Sequence, residues 1–235
     1  MGLERLDKLL ASQGVASRSD AGRMIRAGRV RVDGRVCRSP AEKADGALQE
    51  IRLDGAPLSY SRHVYIMLNK PPGLLCVSRD PKAATVMDLL PPALRRPGLF
   101  PAGRLDKDTT GLLLITDDGE LAHKMLSPKS HVYKQYRAQL DAPVEEADIQ
   151  AFAAGVAWEG EQYAPARLWV EQDPRAAFVE IREGRFHQVK RMFQARGKTV
   201  LQLKRLKIGG LWLDSTLQEG ECRLLTPQEI QAIFH

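Results

Sequence analysis

GRLDKDTTGLLLITDDGE, residues 103–120, joins a polar turn to an apolar run. Leu112, Leu113, Leu114 and Ile115 follow one another without a polar break, and Asp117, Asp118 and Gly119 end the run. A short apolar stretch bounded by turn residues reads as a buried strand. Asp106 stands in the turn just ahead of it. Most loop carboxylates are simply solvated. This one is held between Gly103, which allows unusual backbone angles, and a rigid strand, and that is how a chain fixes a carboxylate in place for chemistry.

Outward from this stretch the pattern alternates between strands and helices. VYIMLNKPPGLLCVS (64–78) reads as a strand, a Lys-Pro-Pro-Gly turn and another strand, and TVMDLLPPAL (85–94) as a short helix stopped by prolines. ELAHKMLS (120–127) predicts an amphipathic helix, KQYRAQL (134–140) a strand, and EEADIQAFAAG (145–155) a helix capped by Gly155. AAFVEIRE (176–183) predicts a strand, FHQVKRMFQARG (186–197) a helix capped by Gly197, and VLQLKRLKIGGLWL (200–213) alternates like strands. TPQEIQAIF (226–234) is a closing helix with Thr226 as N-cap, Pro227 in first position and Glu229 in third. Strands joined by short turns, with helices appended, predict an α+β fold on a mixed, largely antiparallel sheet.

The N-terminal residues form a different unit. Leu3, Leu6, Leu9 and Leu10 recur at helical spacing up to Gly14, and a second helix starts at Ser17 and closes at Gly28. RVRVDGRV (29–36) alternates around Asp33-Gly34, a two-residue hairpin signal, and a second Asp-Gly at 54–55 ends the unit. SYSRH (59–63) reads as a linker. The expected domains are 1–60, a compact basic module, and 61–235.

Net charge is +6 over 235 residues, and its distribution says more than its size. Residues 1–38 hold nine Lys/Arg against four acids, and residues 182–207 hold nine against one, so the rest of the chain is net acidic. Charge gathered in two short stretches is the footprint of a polyanion-binding face. Arg23, Arg26 and Arg29 are expected along one side of the second helix. A hydrophobic content of 43% suffices for a real core, and no apolar run approaches the ~18 residues of a membrane span. The N-terminus lacks the uninterrupted apolar segment of a secretion signal. Cys37, Cys76 and Cys222 have no paired spacing, which argues against disulfides and zinc and fits a reducing cytoplasm.

Several chemistries are excluded. No Gly-rich nucleotide loop follows a strand, no GxSxG elbow is present, and the five histidines never pair at metal spacing. The expected chemistry therefore runs on side chains alone, with no cofactor and no metal. Two stretches could converge on Asp106. Tyr136 lies on a strand beside Lys134 and Arg137, where an aromatic ring can stack on an extruded base. In EGRFHQVKRMF (183–193), Arg185 precedes a helix, and His187, Lys190 and Arg191 follow at i, i+3 and i+4 on one side of it. A cation from that side could pair with a buried carboxylate or with phosphate.

Two resemblances join these pieces. RLDKLLASQGVASRSDAGRMIRAGRVRVDG is similar to the S4 RNA-binding domain, a small αL-type module, and implies binding to structured RNA through phosphates and shape. MLNKPPG, GRLDKDTTGLLLITDDG, KQY, EGRFHQVKRMF and LKRLKIGGLWL resemble the successive motifs of pseudouridine synthases of the small-subunit ribosomal RNA type, the RsuA branch. The resemblance runs nearly end to end. It implies an S4 module followed by a pseudouridine synthase catalytic domain. The reaction implied isomerises a uridine of 16S ribosomal RNA, in a partly assembled small subunit, without a cofactor. It assigns Asp106 as the catalytic aspartate, Lys190 as its cationic partner and Tyr136 as the residue stacked on the flipped uracil. Arg104 and Arg185, with Asn69 and Lys70 of the first motif, are implied as substrate contacts, and Arg23, Arg26 and Arg29 as RNA contacts of the S4 module. A cytoplasmic monomer with no membrane partner is expected. The alternatives are 23S ribosomal RNA as substrate, disfavoured by the short C-terminus ending IQAIFH, and a non-catalytic RNA-binding assembly factor, disfavoured by the intact motif around Asp106.

Overall fold

The protein, described here over residues 2–235 by a computed structural model, divides into two compact units: Met1–Val64 with Leu90–Leu99, and Tyr65–Leu89 with Phe100–His235. In the first unit the leucines at 6, 9 and 10 lie on one side of the helix Leu6–Ser12 and pack on Ala21 and Ile25 of the helix Arg18–Arg26. Ser17 caps that second helix, its hydroxyl accepting from the Asp20 N–H at 3.2 Å. Asp33-Gly34 joins strands Val30–Val32 and Arg35–Cys37, and Asp54-Gly55 joins Ile51–Leu53 and Ala56–Pro57. Both residues of each pair have positive φ (49° and 80°, 53° and 85°), as a type I′ hairpin turn demands. The expected row of arginines is corrected in one place. The helix ends at Arg26, and Arg29 lies beyond Gly28, where its guanidinium donates to both oxygens of Asp54 at 2.8 and 2.6 Å.

The second unit is built on a nine-stranded sheet. Along its main path the strands run Arg167–Val170, Ala176–Ile181, Lys134–Leu140, Val200–Ile208, Thr110–Thr116, Tyr65–Lys70 and Cys222–Leu224. Phe100–Ala102 pairs with Thr110–Thr116, and Leu211–Trp212 with Val200–Ile208. Every pairing is antiparallel except that of Val200–Ile208 with Thr110–Thr116, which is parallel. The 110–116 strand is buried from Gly111 onward, as its unbroken apolar run predicts. Met67, Leu112 and Leu114 from the sheet pack with Ala122 and Met125 of the helix Gly119–Leu126 and with Ile233 at the end of the helix Pro227–Ala232. Burying each large apolar side chain of this kind contributes about 1.5–3 kcal/mol. Thr226 and Glu229 close the capping box that starts the last helix.

Two sequence expectations fail here for identifiable reasons. Residues 74–78 form no second strand and make only one bridge, Leu75 to Thr85. Both edges of Tyr65–Lys70 are already taken, by Thr110–Thr116 and by Cys222–Leu224. The single helix expected over 85–94 is instead two 3₁₀ turns, Val86–Leu89 and Pro92–Leu94. Pro91 and Pro92 lack the N–H groups that an α-helical ladder needs there.

Candidate active site

The loop carrying Asp106 is held from inside. Gly103 takes φ +81°, and Asp106 starts a turn closed by the Thr109 N–H on the Asp106 carbonyl at 3.2 Å. Five loop and strand carbonyls are then met by two buried cations. Lys70 Nζ donates to the carbonyls of Lys107 (3.1 Å) and Thr109 (2.9 Å), and also to Pro71 (3.0 Å). Arg205 donates to Gly103 (3.0 Å) and Leu112 (2.7 Å). Gly111 at φ +96° is required because a β-carbon there would lie 2.2 Å from the Arg205 carbonyl. The parallel pairing of Gly111 with Arg205 thus brings both backbones together at the foot of the loop. Burial pushes the Lys70 ammonium below its ordinary range.

Asp106 meets two side chains from the 183–193 segment. Lys190 Nζ lies 3.3 Å from Asp106 Oδ2, and His187 Nε2 lies 3.5 Å from Oδ1. His187 stands at the N-cap of the helix Gln188–Gln194 with φ +51°, which turns it out of line with the helix that follows. Lys190 and Asp106 keep only 22% and 24% of their side-chain surface, so their attraction is weakly screened. Lys190 also donates to Asp108 Oδ1 at 2.5 Å, and that contact holds the Asp108 carboxyl below the usual carboxylate range. The ammonium is therefore shared between two carboxylates of one loop. A recess of about 60 Å³ opens beside Asp106, lined by Tyr136, Thr109, Arg104, Arg185, His187 and Leu203 among others. The Thr109 hydroxyl in its wall is buried without a hydrogen-bond partner among the described residues.

The structure thus gathers Asp106, Tyr136, Arg104 and Arg185 around one recess and pairs Asp106 with Lys190. It does not bring the other expected contacts there. Asn69 and Lys70 are buried and bond to the chain itself, Asn69 Nδ2 to the Leu217 carbonyl at 2.9 Å, so they hold the scaffold and do not face a substrate. Arg191 shares the helix with Lys190 but turns to Glu161 (3.2 Å) and the Tyr163 hydroxyl (3.3 Å). Arg185 reaches the recess, yet its guanidinium is tied to Glu161 (2.9 Å) and to the Gln162 carbonyl (2.7 Å). Lys134 is buried on the Met125 carbonyl (3.3 Å), where burial and then the nearby Arg205 push its ammonium down to about 8. Asp108 and Arg205 were passed over in the sequence. Asp108 lies two residues after Asp106 in the same turn, a spacing that offers both carboxylates to one cation, whereas nothing local marks Arg205 apart from its neighbours in the basic stretch.

A carboxylate fixed by a buried cation clamp beside a tyrosine-walled recess, on a sheet of this topology, matches a known class. Residues 64–195 match the RNA pseudouridylate synthase family and residues 4–47 the S4 domain, and the chain belongs to that synthase family, an enzyme that isomerises uridine in RNA. Nearly the whole chain is similar to individual members. Ribosomal small subunit pseudouridine synthase A of Escherichia coli K12 is 44% identical over 234 residues, covering 97% of this chain and 99% of that protein. An uncharacterized RNA pseudouridine synthase of Bacillus subtilis, YtzG, is 42% identical over 233 residues, covering 97% and 98%. A crystal structure of a pseudouridylate synthase superposes with a TM-score of 0.67 at 40% identity, covering 97% of this chain and 99% of that one.

Proposed function

We propose that this protein converts one uridine of 16S ribosomal RNA to pseudouridine in the cytoplasm, with Asp106 as the catalytic carboxylate and no cofactor. The observation that carries the reading is Asp106 itself, ion-paired to Lys190 and facing the recess that Tyr136 lines. The substrate assignment rests on similarity over nearly the full chain to ribosomal small subunit synthases. In the reaction the N1–C1′ bond breaks, the uracil turns, and a C5–C1′ bond forms. A proton leaves C5 and N1 gains one, so atoms balance and no redox partner is needed. Asp106 acts at the glycosidic centre, and Lys190 keeps its negative charge compensated as the site closes on RNA. Tyr136 stacks on the extruded uracil and assists proton transfer, and Arg104 places positive charge at the mouth.

Residues 1–60 act as the docking unit and 61–235 as the catalytic one. The first carries an open hollow of about 470 Å³ with Arg5, Arg18 and Arg26 in its wall, suited to phosphates. The test is pseudouridine mapping of both ribosomal RNAs in cells lacking the gene, complemented with wild type or Asp106→Asn. One 16S position should lose its modification, regain it with wild type and stay uridine with Asp106→Asn, while that variant still binds RNA. A lost position in 23S RNA would reassign the substrate. No lost position, or turnover by the Asn variant, would overturn the reading.

A further inference from the structure

A second, larger groove of about 320 Å³ adjoins Asp106. It shares Arg104, Leu105, Asp106, Gly184, Arg185 and His187 with the smaller recess, but not Tyr136. In its wall stand Leu75, Cys76 and Val77 from one segment and Phe186 from another. Phe186 is 66% exposed, whereas the other five phenylalanines are buried or half-buried. It is not loose. Its ring stacks on the His187 imidazole with centroids 3.8 Å apart and planes 17° from parallel, and the Arg191 guanidinium lies 5.1 Å from its centre. His187 is in turn anchored near Asp106. Keeping an aromatic ring in water costs free energy that burial would recover, and here the fold orients that ring and leaves it uncovered.

We propose that Phe186 is a stacking platform for the nucleotide adjacent to the target uridine. This rests on the pseudouridine synthase reading. A uridine turned into the small recess leaves its neighbour in the chain just outside, because successive nucleotides are covalently tied. The larger groove begins at the same Asp106 and lies within that reach. It offers the three things a single-stranded nucleotide uses: an aromatic face, an apolar wall at Leu75 and Val77, and exposed cations for the phosphate at Arg104 and Lys107. The groove falls in the size range of small-ligand sites. Stacking tolerates any base, so Phe186 holds the strand in position and leaves the choice of sequence to other contacts. Because Phe186 is locked to His187, a base seated on it also fixes the ring that borders Asp106. Phe186 is therefore a positioning residue whose effect appears in binding of the reactive strand.

The test uses the full-length protein and ribosomal RNA fragments that carry the mapped uridine, with 2-aminopurine placed on its 5′ side in one fragment and on its 3′ side in another. Wild type should quench the fluorescence of one of the two. Phe186→Ala should abolish that quenching and raise KM about tenfold, the size of a single base–aromatic stack, with the single-turnover rate at saturation kept within a few-fold. Phe186→Trp should restore both. Unchanged quenching and KM in Phe186→Ala would overturn the platform, as would a fall in the saturating rate with KM and quenching intact, which would mean that Phe186 only supports His187. Wild type that modifies no uridine in either ribosomal RNA would defeat the functional reading, whereas active wild type with an indistinguishable Phe186→Ala defeats the platform alone.

Discussion

The nine lysines and arginines between residues 5 and 38 are all exposed, whereas of the nine between residues 182 and 207 only Arg185 is. In the first region the cations stand in water or in surface pairs, Arg23 with Asp20, Arg35 with Glu42 and Arg29 with Asp54. Exposed pairs of this kind contribute roughly 0–1 kcal/mol each. In the second region six of the nine, Arg185, Lys190, Arg191, Arg196, Lys198 and Arg205, are held by the protein's own carboxylates or carbonyls. Arg205 holds the carbonyls of Gly103 and Leu112, Lys198 and Arg196 hold the buried Asp148 at 2.7 and 3.0 Å, and Lys190 bridges Asp106 and Asp108. Two stretches of similar charge density thus do different physical work. One attracts a polyanion over a distance set by salt, and the other fixes a loop through short contacts that salt barely reaches.

Substitutions separate the two roles. The largest effect is expected at Lys190. Its removal leaves Asp106 and Asp108 without their shared cation; Lys190 and Asp106 are half-buried, so the loss approaches the lower end of the cost of breaking a fully buried pair, about 3–5 kcal/mol. Lys190→Met should lower the single-turnover rate by at least 100-fold, with about 1.4 kcal/mol for each tenfold, and the salt dependence of RNA binding should stay unchanged. Lys190→Arg should retain more activity, since it keeps the charge and changes only the geometry. Wild-type rates in Lys190→Met would break the comparison, because Lys190 would then be one more cation of an RNA-facing patch.

A smaller effect is expected at Arg205. Lysine can keep the charge there but cannot reach both carbonyls with a planar fork, which leaves one buried acceptor unmet. Arg205→Lys should lose about 1–3 kcal/mol in denaturant unfolding and should slow turnover more than it weakens RNA binding. A variant with full stability and a changed salt slope would place Arg205 among the RNA contacts instead.

The smallest effect on the folded protein is expected from the exposed set. Arg23→Ala, Arg26→Ala and Arg29→Ala together should leave the unfolding midpoint nearly unchanged. The plot of log affinity against log salt should become shallower by about 2, close to the counterions released by three phosphate contacts. An unchanged slope would remove these arginines from the docking surface and would shift that role to other cations of the first unit.

The features that could be read directly along the chain were local ones. The caps at Ser17 and Thr226, the Asp-Gly hairpins, the buried 110–116 strand and the placement of Asp106 after Gly103 depend on residues a few positions apart, and their physics is complete within one turn or one strand. The motif resemblance singled out Tyr136 and Lys190 together with Asp106; Tyr136 lines the recess beside Asp106, and Lys190 lies 3.3 Å from its carboxylate.

What only the tertiary structure decided was which like residues were buried and what they touched. Lys70 meets a carbonyl 37 residues away and Arg205 one 102 residues away, so no window of sequence could show that these cations clamp the Asp106 loop. The same holds for residues 74–78, which lost their strand because both edges of their neighbour were occupied, and for Phe186, whose exposure next to Asp106 depends on how the 103–109 loop and the 183–193 segment meet. Propensity, capping and turn chemistry act over short range and are written in residue order. Burial and edge occupancy are set by which distant segments share a sheet, and they decide whether a charge faces solvent or the chain's own carbonyls.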